Sequence, residues 1–325
     1  MMDNAEVIKA IRHIRLKLNF NKELKHLYRH LFEDIGLLSV SAYALFSGSG
    51  ILYLLSQAGF SIFFFRSFGM MHECVHKNVS SKEVVNSIIG LIYGSICFLP
   101  FHNWRAIHLQ HHLWAGNIDR DPTMKLVKSI PLMSKDKVNK LNAFWKLWLP
   151  YLALLQHVVF WKESLRLYKE KPGNIGLLFS MVGPFLMLLG ISVISLQSPY
   201  LGLLPSVFTY LVMVEVVNFP HHLGMPYLRG NKRISYLEQY KVSRSCHYHP
   251  VLSRFIFMNF NYHTEHHLYP NLPWHQLPSL VQHTQQTLDS NKYNYDEGHS
   301  WIIRARAQDI KDVLKSANSE SDRAA

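Results

Sequence analysis

Three cysteines in 325 residues, Cys74, Cys97 and Cys246, are too few and too irregularly spaced for a disulfide framework or a thiolate zinc site. Charged residues are also scarce, at 17% of the chain against roughly 25% in ordinary soluble domains. No G-x-G-x-x-G or P-loop string occurs, so nothing points to a bound nucleotide. The heme-binding H-P-G-G string, internal repeats and low-complexity tracts are missing too. The N-terminal stretch mixes Asp3, Glu6, Lys9, Arg12, Arg15 and Lys17 with no apolar core and cleavage site, so no secretory signal is expected.

What is present is apolar and clustered. Hydrophobic residues make up 48% of the chain while the mean hydropathy is close to zero. The net charge is +12 with histidine neutral. A basic balance fits nucleic acid or a membrane surface, and the apolar clusters select the membrane. No nucleic-acid partner is expected.

Residues 1–34 read as a cytoplasmic amphipathic helix with Ile8, Ile11, Ile14 and Leu18 at helical spacing. Residues 35–56 carry no charge, enough for a bilayer core of about 30 Å. Gln57-Ala58-Gly59 reads as a turn into a second span that carries Arg66, expected to snorkel to the interface. Residues 84–101 are apolar and read as re-entrant or buried against the spans. Residues 144–161, with Trp145, Trp148, Tyr151 and Trp161, suit an interfacial helix. Residues 175–196 and 199–217 form two more spans around Gln197-Ser198-Pro199. Residues 301–314 read as an amphipathic helix, and the tail from Ser316 as disordered.

Lysine and arginine concentrate in residues 1–34, 102–174 and 228–315, and the two short turns have none. The positive-inside rule therefore predicts an all-α, multi-pass integral membrane protein. Four transmembrane helices form two hairpins under a cytoplasmic helical cap, with both termini cytoplasmic. The organisation expected is an N-terminal segment over 1–34, a membrane domain over 35–285 and a C-terminal segment over 286–325.

Against this frame stand three histidine clusters among 20 histidines. They are His72-x-x-x-His76, His108-x-x-His111-His112 and His263-x-x-His266-His267. Helical i, i+3 and i+4 positions share a face, so each cluster can converge on a ligand. The topology puts all three on the cytoplasmic side. These eight imidazoles exceed what one metal ion takes and suit two. Neutral nitrogen donors fit iron, zinc or copper, and zinc has no redox chemistry. A histidine-rich dimetal site beside an apolar cavity points to iron and dioxygen. Glu73 and Glu265 sit inside the clusters, and Asp119 and Asp121 follow the second, as candidate carboxylate partners for imidazole N–H groups.

The order of the three clusters around two hairpins resembles the membrane-bound fatty acid desaturase superfamily. The string Asn-Phe-Asn-Tyr-His-Thr-Glu-His-His-Leu-Tyr-Pro over 259–270 and Asp119-Arg120-Asp121-Pro122 carry the same likeness. The resemblance covers roughly residues 35–285 and implies a non-heme di-iron centre. It assigns His72, His108, His112 and His266 to one iron, and His76, His111, His263 and His267 to the other. It adds an asparagine holding a water at the first iron and, four residues on, a histidine for the second. Asn218 and His222 supply that spacing, with His221 the competing histidine. The implied activity is dioxygen-dependent insertion of a double bond into the fatty acyl chain of a lipid or thioester. Electrons would come from an external electron-transfer protein, a ferredoxin or cytochrome b5, because the chain carries no flavin, heme or iron–sulfur motif.

Three other readings compete. Hydroxylation or ketolation of a fatty acid, sphingolipid or carotenoid shares the first hydrogen abstraction. A membrane metal transporter would put its histidines near mid-bilayer, not at span ends. His72-Glu73-Cys74-Val75-His76 also fits the zinc-hydrolase string H-E-x-x-H, but the later clusters and the preceding span count against it.

Overall fold

The computed structural model describes residues 4–48, 50–198, 201–287, 295–297 and 300–314. The expected disordered tail lies outside them. The chain is mostly helical. In order come α1 (Asn4–Ile14), α2 (Leu24–Phe46), α3 (Gly50–Val75), α4 (Glu83–Ile96), α5 (Phe101–Trp114), α6 (Lys125–Ser129) and α7 (Lys135–Lys146). Then follow α8 (Tyr151–Glu170), α9 (Ile175–Gln197), α10 (Leu204–Val217), β1 (Ser245–His247), α11 (His263–Leu268), α12 (Leu277–Thr287), β2 (Tyr295–Glu297) and α13 (Ser300–Arg306). The chain divides into two compact units, one of residues 22–106 and 160–214, the other of 1–21, 107–159 and 215–325.

The first unit is built on α2, α3, α4 and α9. The turn expected at Gln57-Ala58-Gly59 is not there. Those residues lie inside α3, and the chain reverses before Gly50, at Ser47-Gly48, where Gly48 takes φ +71°. The physical reason is helix crossing. A Cβ on Gly59 would stand 2.1 Å from Ser41 Oγ, so glycine is what lets α3 close on α2. Gln57 is buried, donating to the Gly202 carbonyl and accepting from the Ser206 backbone N–H. Arg66 does not snorkel either. It is fully buried, paired with Asp34 at 2.5 Å and Glu33 at 3.1 Å, both on α2.

Among the described residues two helices, α3 and α9, are long and apolar enough to cross a membrane. A third span results if α4 and α5, bent by 100° at the break between them, count as one. On α9, Phe179, Phe185, Leu186 and Leu189 face outward, as lipid contact requires. The expected span over 199–217 is the shorter α10, whose 14 residues reach about 21 Å, less than a bilayer core.

The described residues of the second unit include two apolar cores. One joins α6, α7 and the start of α8 to α13 through Ile130, Leu141, Trp145, Leu152 and Ile302. Trp145 is therefore buried and not interfacial. Its indole donates to the Ala305 carbonyl, and the Arg306 guanidinium lies 4.1 Å from its ring. Arg306 also pairs with buried Glu215 on α10. The helix expected over 301–314 is interrupted after Arg306. The other core sets Val7, Ile11 and Ile14 of α1 against Leu268, Leu277 and Leu280. The single helix expected over 1–34 is thus two, separated by a 3-10 turn at Arg15–Lys17 and extended chain. Strands β1 and β2 pair in parallel, Ser245 opposite Tyr295.

Candidate metal centre

Four histidines of the second unit bring ring nitrogens within 4.8 Å of one another: His111, His222, His263 and His267. His111 lies in the last turn of α5, and His263 and His267 are an i, i+4 pair on α11. His222 follows the 3-10 turn Phe219–His221, which Pro220 opens by ending α10. The Nε2 atom of His222 stands 3.0 Å from that of His263 and 3.2 Å from that of His267. His267 Nε2 is 3.0 Å from His263 Nε2 and 3.3 Å from His111 Nε2. Nitrogens bound about 2.1 Å from one ion, at tetrahedral or square angles, are about 3.0–3.4 Å apart. The four atoms therefore fit the donor edges of a single divalent metal, and the all-imidazole set suits iron, zinc or copper.

The far side of each ring decides which nitrogen faces inward. His111 Nδ1–H donates to Asp121 Oδ2 at 2.7 Å. His222 Nδ1–H donates to the Val242 carbonyl at 3.0 Å. His267 Nδ1 meets Gln239 Oε1 at 2.6 Å. With the proton held on Nδ1, the Nε2 lone pair is free for the metal. Loss of water, then the neighbouring His111, pushes the His222 pKa down to about 3. Burial and the surrounding imidazoles hold His263 and His267 well below the usual histidine range. At neutral pH these rings are uncharged, the form that binds metal.

A second set adjoins the first. His108 and His112 are i, i+4 on α5, with Nε2 atoms 3.0 Å apart, and His266 Nε2 stands 3.0 Å from that of His112. The helices α5 and α11 thus each feed both sets, and the His112 and His267 rings are 4.4 Å apart. His76, which the resemblance assigned with His111, is outside the group of four. It lies in the first unit beside His72, with ring centroids 5.0 Å apart. There Glu73 takes the role expected of it. Its carboxylate lies 3.2 Å from His72 Nδ1 and accepts from Asn78 Nδ2.

Asp121 both orients an imidazole and caps a turn. While Oδ2 holds His111, Oδ1 accepts from the Thr123 backbone N–H and hydroxyl. An asparagine has one acceptor oxygen for these jobs. Asp121→Asn is expected to weaken metal binding about 10–100-fold, read by competition with a chelator. Asp119 instead pairs with exposed Lys128 and the Gly230 N–H. Glu265 accepts from Ser245 and Thr284, tying α11 to β1 and α12. Of the competing pair, His222 joins the group of four, and His221 stacks on His263 at 4.1 Å. Asn218 is half-buried and precedes the 3-10 turn, its backbone carbonyl accepting from the His221 N–H. His102, His247 and His249 belong to neither set. Sequence reasoning missed Gln239 and the Val242 carbonyl, because neither stands in a histidine motif and both reach the site from a distant segment.

The family model for fatty acid desaturases matches residues 49–299. An endoplasmic-reticulum omega-3 fatty acid desaturase of Nicotiana tabacum is 25% identical over 306 residues, covering 84% of this chain and 74% of its own. An sn-1 acyl-lipid omega-3 desaturase (ferredoxin) of Synechocystis is 24% identical, covering 84% and 78%. A chloroplastic omega-3 fatty acid desaturase of Sesamum indicum is 26% identical, covering 82% and 62%. The match takes in all three histidine clusters, so the chain belongs to the fatty acid desaturase family and is an oxidoreductase of lipid metabolism.

Proposed function

We propose that this protein is a dioxygen-dependent di-iron desaturase that introduces a double bond into the fatty acyl chain of a lipid or thioester. The observation that carries the reading is the convergence of four Nε2 atoms, three of them backed by an acceptor at Nδ1. Proposed ligands to one metal are His111, His222, His263 and His267. His108, His112 and His266 serve the other. His72 and His76 are included as further ligands because of their motif, and Asn218 as the holder of a water because of its spacing to His222. Bound iron would supply the dioxygen chemistry that removes two hydrogens from neighbouring methylenes. The chain's own part is to hold the protons of His111 and His222 on Nδ1, to keep His222, His263 and His267 neutral and to bury the site away from bulk water. Electrons are proposed to come from an external carrier, a ferredoxin or cytochrome b5. The Synechocystis relative's name, which includes ferredoxin, supports that class.

The proposed topology keeps two hairpins, α2 with α3 and α9 with α10, and both termini in the cytoplasm. Moving the first turn leaves that argument intact, since Ser47, Gly48 and Ser49 carry no lysine or arginine. The test is expression in a host of known lipids, followed by mass spectrometry of the fatty acids. A product two mass units lighter than a host acyl chain is expected. A product sixteen units heavier, or an unchanged profile with iron and a reductant supplied, would count against desaturation.

A further inference from the structure

Gln239 lies in the 3-10 segment Tyr236–Lys241, is almost wholly buried and touches both histidine sets. Its Nε2 donates to the His112 backbone carbonyl at 2.8 Å. Its Oε1 lies 2.6 Å from His267 Nδ1. The first contact fixes the second. A carbonyl oxygen can only accept, so the NH2 end of the amide must face His112. The oxygen end then faces His267, and an oxygen at that distance requires the proton on Nδ1. His267 is left with its lone pair on Nε2, where His111, His222 and His263 converge.

The segment that carries Gln239 is itself held. The Gln239 carbonyl accepts from the Ser243 hydroxyl at 2.7 Å and from the Val242 N–H at 3.1 Å. The Val242 carbonyl, three residues on, is the acceptor that orients His222. One short turn therefore sets two members of the four-histidine group, one through a side chain and one through the backbone. It registers them against the main chain of α5, which bears the second histidine set. Neither the three clusters nor the resemblance assigns any residue of this turn.

We propose that Gln239 is a positioning residue. It fixes the tautomer and ring angle of His267 and holds α11 in register with α5, so that one metal of the pair is bound tightly. The inference rests on the metal-centre reading above. Gln239→Leu keeps the volume and removes both contacts. Gln239→Glu keeps an acceptor for His267 Nδ1–H and gives up the donation to His112.

The test titrates Zn(II) into metal-free detergent-solubilised full-length protein against a chelator, and records Mössbauer spectra after loading with iron-57. Expected for Gln239→Leu is a loss of about 10–100-fold in affinity for one metal equivalent, with the other held within about threefold. One of two iron signals should shift or vanish while the other stays. Gln239→Glu should recover most of the affinity. The inference is overturned if Gln239→Leu binds both equivalents like the wild type. It is equally overturned if Leu and Glu variants fall together, since that marks a packing role. A wild type that takes up no metal overturns the metal-centre reading as well, and that control tells the two failures apart.

Discussion

His267→Ala is expected to abolish product formation and to remove about one of two bound metal ions while leaving the helices folded. His267 has the most central position in the group of four, with three other ring nitrogens within 3.3 Å of its Nε2. Its removal leaves three imidazoles around a gap and strands the Gln239 oxygen without its donor. The effect is read twice, by fatty acid profile in the expressing host and by iron per purified chain. His249→Ala, at an exposed histidine outside both sets, is the control and should match the wild type. Full activity in the His267 variant would refute its assignment as a ligand.

Arg66→Met is expected to lower stability by about 3–5 kcal/mol, the usual consequence of removing one partner of a buried ion pair. Arg66 has no solvent contact and sits in α3, six residues before His72. Its guanidinium meets Asp34 at 2.5 Å, Glu33 at 3.1 Å and His30 Nδ1 at 3.0 Å. Tyr93 of α4 donates to the other Asp34 oxygen at 2.7 Å. Three helices of the first unit therefore share one buried polar knot. Without Arg66 the Asp34 carboxylate keeps His30 and the Tyr93 hydroxyl but loses the guanidinium that pairs with it. The double variant Arg66→Met/Asp34→Asn removes both charges and should recover most of the loss. Thermal unfolding in detergent, followed by helical circular dichroism, makes the comparison. An unchanged melting temperature for Arg66→Met would show that the knot contributes nothing.

The parts of this molecule legible in the sequence are those whose geometry is local. His108 with His112 and His263 with His267 could be paired from spacing alone, because i and i+4 share a helical face. The same spacing does not say that His111 and His266 join a different histidine set from their neighbours in the same motif. That needs the relative rotation of α5 and α11. Asp121 was legible as an imidazole partner because it follows the second cluster, and it proves to be a turn cap as well. Gln239 lies 28 residues from the ring it orients, with no motif around it.

The misplaced first turn has a similar cause. Gln57-Ala58-Gly59 reads as a loop by residue type, yet Gly59 serves a crossing with Ser41, and Gln57 finds hydrogen bonds near the start of α10. Arg66 was read by itself, so a route to the interface looked the cheaper solution. A single arginine in one apolar helix and an aspartate at the start of the preceding uncharged stretch are themselves a signal for a buried pair. Trp145 misled for the opposite reason. Aromatic residues beside lysine suggest a membrane interface, but its partners, Ala305 and Arg306, lie 160 residues away or more.

The central claim is that the buried histidines hold two iron ions. Its most direct test is the iron content of folded protein purified from iron-supplied cells, with Mössbauer spectra of iron-57-loaded samples. About two iron ions per chain are expected, both in nitrogen-rich surroundings. Folded protein that holds no iron under these conditions, or that carries zinc in its place and yields no altered acyl product, would contradict it.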